Sequence, residues 1–166
     1  MAVNGRKKGQ TAERKLAKLF SAWWGADFAR TPLSGGFATA KFREDWNACG
    51  DLVTPDKSFP FCVESKKVEG WTLEQMLTSD KTLMHKWWEQ TLTETPKGKI
   101  PLLVFTKNHA PLYAMVRRMH MTPELWHKLS TSKTYFETQL GTADCVVIFP
   151  LSVLFSTMKE SWLYDR

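Results

Sequence analysis

The chain reads as an α/β protein with a central mixed β-sheet flanked by helices. Two observations predict that class. The segment TAERKLAKLFSAWW carries Leu16, Leu19, Phe20 and Trp23 at helical spacing, one apolar stripe on an otherwise charged helix. Further along, short apolar runs bounded by Pro, Gly and Asn alternate with a second helical pattern, the order expected of a sheet covered by helices.

After the first helix, the stretch GDLVTPDKSFPFCVESKK reads as two short neighbouring strands, the first opened by Asp51 just after Gly50, with a hairpin-like return through Pro55 to Pro60 bringing Asp51 beside Glu64. WTLEQMLTSDKTLMHKWWEQTL reads as one long helix, with Leu73, Met76, Leu77, Met84, Trp87 and Trp88 on a broad face and Pro96 ending it. Ile100 to Thr106 is a continuous apolar run and is expected to be a buried strand. Leu112 to Val116 follows as another strand. Thr122 before Pro123 marks a short helix by cap and first-turn proline. Val146 to Phe149 reads as a last strand and Leu151 to Trp162 as a closing helix. Neither a linker nor a repeat interrupts the chain, so residues 1–166 are expected to form one domain, long enough to bury a core.

Composition narrows the function classes. The formal charge is +6, and the excess is uneven: Arg6, Lys7, Lys8, Arg14, Lys15 and Lys18 cluster in the first helix and its lead-in, opposed only by Glu13. Such a run is either a solvated face or a track for a phosphate backbone. Apolar runs of about 20 residues are lacking, so no membrane span is expected. The basic N-terminus has no apolar core or cleavage site, which argues against a signal peptide. Cys49, Cys62 and Cys145 form no C-x-x-C pair; they suggest neither zinc nor a disulfide framework, and reduced thiols in a cytoplasmic protein are expected. His85, His109, His120 and His127 lack ligand spacing. The eight tryptophans read as core first; in the pairs Trp23–Trp24 and Trp87–Trp88 at least one ring points off the buried stripe, available to a dimer contact or an unpaired base.

The chemistry concentrates in Asp51, Glu64 and Lys66. Residues two apart on a strand share a face, so Glu64 and Lys66 project together. A carboxylate pair attracts a hard, oxygen-preferring cation such as Mg2+, and a lysine beside it can stabilise phosphate charge. Standing alone, these residues also suit an exposed hairpin with an ordinary ion pair. Glu13, three residues before Leu16, falls on the inward stripe of the first helix.

Asp, a spacer, then Glu-x-Lys resembles the signature of the PD-(D/E)XK nuclease superfamily, with Gly50 where that family usually has Pro. The likeness extends over residues 5 to 107 and is closest to archaeal-type Holliday junction resolvases: a helix with Glu13, a strand with Arg30, a Ser-Gly loop in ARTPLSGGF, then Asp51 and Glu-x-Lys. The resemblance implies a restriction-endonuclease-like core and a Mg2+-dependent endodeoxyribonuclease, with Mn2+ as a substitute. It implies a metal held by Asp51 and Glu64, completed by Glu13 and a main-chain carbonyl near Ser65. Lys66 would position the attacking water and stabilise the transition state. Arg30 and Ser34 would line the site or meet the scissile backbone, and Gly35 and Gly36 would let their loop approach a phosphate. Arg6, Lys7, Lys8, Arg14 and Lys67 would track DNA. Gln90 is similar in place to an accessory glutamine of some relatives, although an exposed helix-end Gln is the plainer reading. The implied substrate is a four-way junction cut by a homodimer, phage-encoded and working in the host cytoplasm. Two departures bear on this: the middle residue of Glu-x-Lys is usually apolar and is Ser65 here, and the loop from Phe37 to Cys49 is longer than in compact resolvases. The alternatives are a repair, replication or restriction-like nuclease acting on flaps, nicks or duplex, and, from another class, a basic DNA-binding protein without catalysis.

Overall fold

The computed structural model describes residues 5–31, 47–79, 81–140 and 144–163. Helix α1 (Gly5–Trp24) opens the chain. Its buried stripe is Leu16, Ala17, Phe20 and Trp24. Leu19 is 41% exposed, contrary to the expected stripe, because the 3.6-residue turn aligns positions 16, 17, 20 and 24 and swings 19 outward. Three short strands follow, β1 (Ala29–Arg30), β2 (Asn47–Cys49) and β3 (Leu52–Thr54), hydrogen-bonded in the order β1-β3-β2 with every pairing antiparallel.

The main sheet comprises β4 (Phe61–Lys67), β5 (Ile100–Thr106), β6 (Tyr113–Arg117), β7 (Phe136–Leu140) and β8 (Asp144–Pro150), in the order β4-β5-β6-β8-β7. Only β4 and β5 run parallel, so the sheet is mixed as expected. A parallel pair needs a crossover, and the segment between these strands supplies it with α2 (Gln75–Thr78) and α3 (Leu83–Glu94). Strand side chains alternate between two cores. Phe61, Val63, Leu102, Val104, Ala114, Val116, Val147 and Phe149 face α1, α4 (Pro123–Ser132) and α5 (Leu151–Phe155). Leu103, Phe105, Met115, Val146 and Ile148 face Met76, Met84, Trp87 and Trp88 of α2 and α3. Burial on both sides explains why β5 reads as an uninterrupted apolar run.

Several expectations are corrected. The long second helix is broken between residues 79 and 82: the Thr82 side chain accepts from the His85 amide, and His85 Nδ1 accepts from the Thr82 amide, 3.3 Å away, so a new helix starts there. Leu77, expected on the buried face, is 70% exposed. The closing helix also breaks, into α5 and a 3-10 turn at Lys159–Trp162, where the Ser156 and Thr157 hydroxyls donate back to the Val153 and Leu154 carbonyls. Strand β7 was not anticipated, although Phe136, Thr138 and Leu140 alternate with Glu137 and Gln139 in the period of a half-buried edge strand. Of the paired tryptophans, Trp24, Trp87 and Trp88 are buried, whereas Trp23 is partly buried, packing on Phe20, Phe61 and Phe155 while donating to the Thr157 carbonyl. Thr122 caps α4 with Pro123 at its first turn, as expected. Among the described residues, no helix is long and apolar enough to cross a membrane.

Candidate active site

The site begins with a turn that only glycine fits. Gly50, between β2 and β3, has φ +69° and forms a parallel bridge with Val63 of β4. A Cβ on Gly50 would lie 2.2 Å from the Val63 carbonyl oxygen. Glycine tolerates both the left-handed backbone and this approach. Proline, with φ held near about −65°, could adopt neither, so this backbone excludes it at position 50.

That approach docks Asp51 on β4. The Asp51 amide donates to the Val63 carbonyl at 2.7 Å, and Asp51 Oδ2 accepts from the Ser65 amide at 2.8 Å. From the other side, Thr31 donates through its hydroxyl to the Gly50 carbonyl at 2.7 Å and through its amide to the Asp51 carbonyl at 2.8 Å. Asp51 therefore lies in the turn before β3, stitched to β1 on one flank and to β4 on the other. Burial raises its carboxyl above the ordinary range, the Ser65 amide opposes that rise, and the charges of Glu13 and Glu94 add to it.

Glu64, only 4% exposed, projects from β4 on the same face as Lys66. Lys66 Nζ lies 2.6 Å from Glu64 Oε1, which also accepts from Gln90 Nε2 at 3.2 Å. Burial, and then the neighbouring Asp51 charge, push Glu64 up to about 7; the Lys66 hydrogen bond pulls the other way. Glu13 faces the same region from α1, half-buried, with Oε2 2.5 Å from Arg30 Nε.

The described structure thus brings together Asp51, Glu64 and Lys66, with the Glu13–Arg30 pair beside them. Arg14 is exposed on α1, and Lys67 is exposed at the end of β4. Ser34 and Gly35, and the side chains of Arg6, Lys7 and Lys8, lie outside the described residues. Gln90 is exposed on α3, as its plainer reading expects, and it donates to both Glu64 and Glu94; Glu94, whose charge bears on both Asp51 and Glu64, is not among the residues expected from the sequence. Their spacing of one turn on α3 was visible; the direction of that helix face was not.

The donor chemistry fits a hard divalent cation. Both carboxylates are oxygen donors, each with one oxygen engaged by the protein, and their mutual repulsion is the charge such a cation relieves. Among the described residues no three His, Cys, Asp or Glu gather as a ready-made cage, and Glu13 is turned to Arg30.

A mixed sheet flanked by helices, with Asp51 against a strand carrying Glu64 and Lys66, is the arrangement of a PD-(D/E)XK nuclease. The family model described as "Phage putative PDDEXK endonuclease" matches residues 4–165. The chain belongs to that family of phage endonucleases. No match was found among curated proteins or among solved structures.

Proposed function

We propose that the chain is a divalent-metal-dependent endodeoxyribonuclease that resolves four-way DNA junctions as a homodimer. The observation that carries the nuclease chemistry is the clamp of Asp51 onto β4 beside the Glu64–Lys66 pair. Support for a branched substrate is the order Glu13, Arg30, Asp51, Glu64, Lys66 along the chain, which is similar to that of archaeal-type junction resolvases.

Asp51 and Glu64 would hold Mg2+, with Mn2+ as a substitute, and Glu13 would join them once released from Arg30. When bound, the cation acidifies a coordinated water and offsets charge on the scissile phosphate. The protein's own groups do the positioning. The Ser65 amide holds Asp51 Oδ2, and Gln90 steadies Glu64 from α3. Lys66, on the same face as Glu64, would position the attacking water and stabilise charge on the phosphoryl oxygens, where its own charge counts most in the transition state. Arg30, paired with Glu13, would line the site or meet the scissile backbone. Ser34 and Gly35 would approach that backbone, while Arg6, Lys7, Lys8, Arg14 and Lys67 extend the contact along it.

The test is cleavage of a four-way junction against matched duplex, flap and single strand, with and without Mg2+. Paired cuts in opposing strands, dependent on the cation, are expected. Equal cleavage of every substrate would remove the junction reading and leave the nuclease. Glu64→Gln and Lys66→Ala should abolish cleavage while keeping DNA affinity within a few-fold, because these groups serve the transition state more than ground-state binding. Near-normal cleavage by Glu64→Gln would overturn the site.

A further inference from the structure

The register that sets Asp51 beside Glu64 also brings two sulfurs together. Gly50 bridges Val63 in parallel, so position 49 falls beside 62 as 51 falls beside 64. Cys49 closes β2 and Cys62 is the second residue of β4. Adjacent strands lie about 4.8 Å apart, within the roughly 4.4–6.8 Å between Cα atoms that a disulfide needs. The side chains follow the backbone. Cys49 Sγ is 3.7 Å from the carbonyl oxygen of Phe61, the residue preceding Cys62, and Cys62 Sγ is 3.8 Å from the Glu94 carbonyl oxygen. Both are free thiols; Cys62 is buried and Cys49 is half-buried. Oxidant therefore reaches Cys49 first.

We propose that Cys49 and Cys62 are an oxidisable pair that closes into a reversible disulfide, stapling the Gly50–Asp51 turn to β4. A low-molecular-weight disulfide of the glutathione class supplies the oxidising equivalents. The Cys49 sulfur, giving up its proton, attacks one sulfur of oxidised glutathione and expels one glutathione thiolate, leaving a mixed disulfide. The Cys62 sulfur, giving up its proton in turn, attacks Cys49 Sγ and expels the second. Two thiols are oxidised to one disulfide, and one glutathione disulfide is reduced to two thiols. The ring so closed contains residues 50–61, including Gly50 and β3. Once it closes, Gly50 cannot move away from Val63, and the register under the acidic pair is held covalently.

The experiment uses the Cys145→Ser protein, which removes the exposed third thiol and the cross-links between molecules that it would make. Folded protein is incubated with oxidised glutathione, quenched in acid and unfolded; its free thiols are then counted and its peptides mapped by mass. Both thiols should disappear, one cross-linked peptide pair should join Cys49 to Cys62, no glutathione should remain attached, and dithiothreitol should restore both thiols. In a Cys62→Ser companion the reaction should stop with glutathione on Cys49. Two free thiols after oxidation, or glutathione retained on Cys49 beside an intact Cys62, would overturn the proposal, because either shows that the sulfurs do not meet. None of these readouts depends on DNA cleavage, so the nuclease reading stands or falls separately.

Discussion

Gly50→Ala tests the joint on which the site depends. The change adds one methyl group to a backbone at φ +69° with the Val63 carbonyl 2.2 Å from the new carbon. The left-handed conformation alone costs a side chain about 1–2 kcal/mol. Relieving the overlap requires the turn to retreat from β4 by about 1 Å, which breaks the bond from the Asp51 amide to Val63, worth about 1 kcal/mol. The charged bond from the Ser65 amide to Asp51 contributes a further 1.5–3 kcal/mol or so. Together these predict a loss of roughly 3–6 kcal/mol. For a chain of this size that corresponds to a melting temperature lower by roughly 6–24 °C. Because a displacement of about 1 Å at a reacting group costs on the order of 10²-fold in rate, cleavage should fall by at least that much at temperatures where the variant stays folded. Urea denaturation, followed by single-turnover cleavage of the folded fraction, measures both. Gly50→Pro, which restores the residue usual in the wider superfamily, should rescue neither. A Gly50→Ala protein within about 1 kcal/mol of the parent that also cleaves normally would refute the Gly50–Val63 approach.

Glu64 gives a pH dependence. Its folded value, about 7, lies above the ordinary 4.5, so between those values the folded chain keeps a proton that the unfolded chain has lost. Without divalent cation, the stability contributed by that proton is full below the ordinary value and is lost as pH rises through about 7; Glu64→Gln should flatten this slope in unfolding titrations. Removing the neighbouring charge with Glu94→Gln should lower the Glu64 value, read by carbon NMR; an unchanged value would place Glu94 outside the site. If about six phosphates are contacted, log affinity should fall with log salt at a slope near −5, and Lys7→Ala with Lys8→Ala should make it shallower by about two; an unchanged slope would turn that cluster away from DNA. Sedimentation at micromolar concentration should give about twice the 19.1 kDa chain mass, the homodimer that paired cuts require.

Much of this protein is determined by local pattern. The spacing of Leu16 and Phe20 predicts a helix with one buried side, although the stripe continues to Trp24 while Leu19 turns outward and Trp23 is only partly buried. The two-residue alternation at Glu64 and Lys66 puts acid and amine on one face whatever surrounds them. Thr122 and Pro123 start α4 because cap and first-turn proline act within one turn. The same short reach accounts for what pattern misread: apolar residues on both sides of residues 79–82 keep the helical period, but the capping contact between Thr82 and His85 starts a new helix there. Only tertiary structure decided which segments meet. Gly50 reads as an ordinary turn residue until Val63 lies against it, and the positions of Cys49 beside Cys62 and Asp51 beside Glu64 follow from that single register. Gln90 and Glu94 reach the site because Trp87 and Trp88 bury the other side of α3 against the sheet. Periodicity describes an element against an unspecified interior, whereas the rise in the Glu64 pKa depends on how deeply that interior buries the carboxyl and which charges it sets alongside.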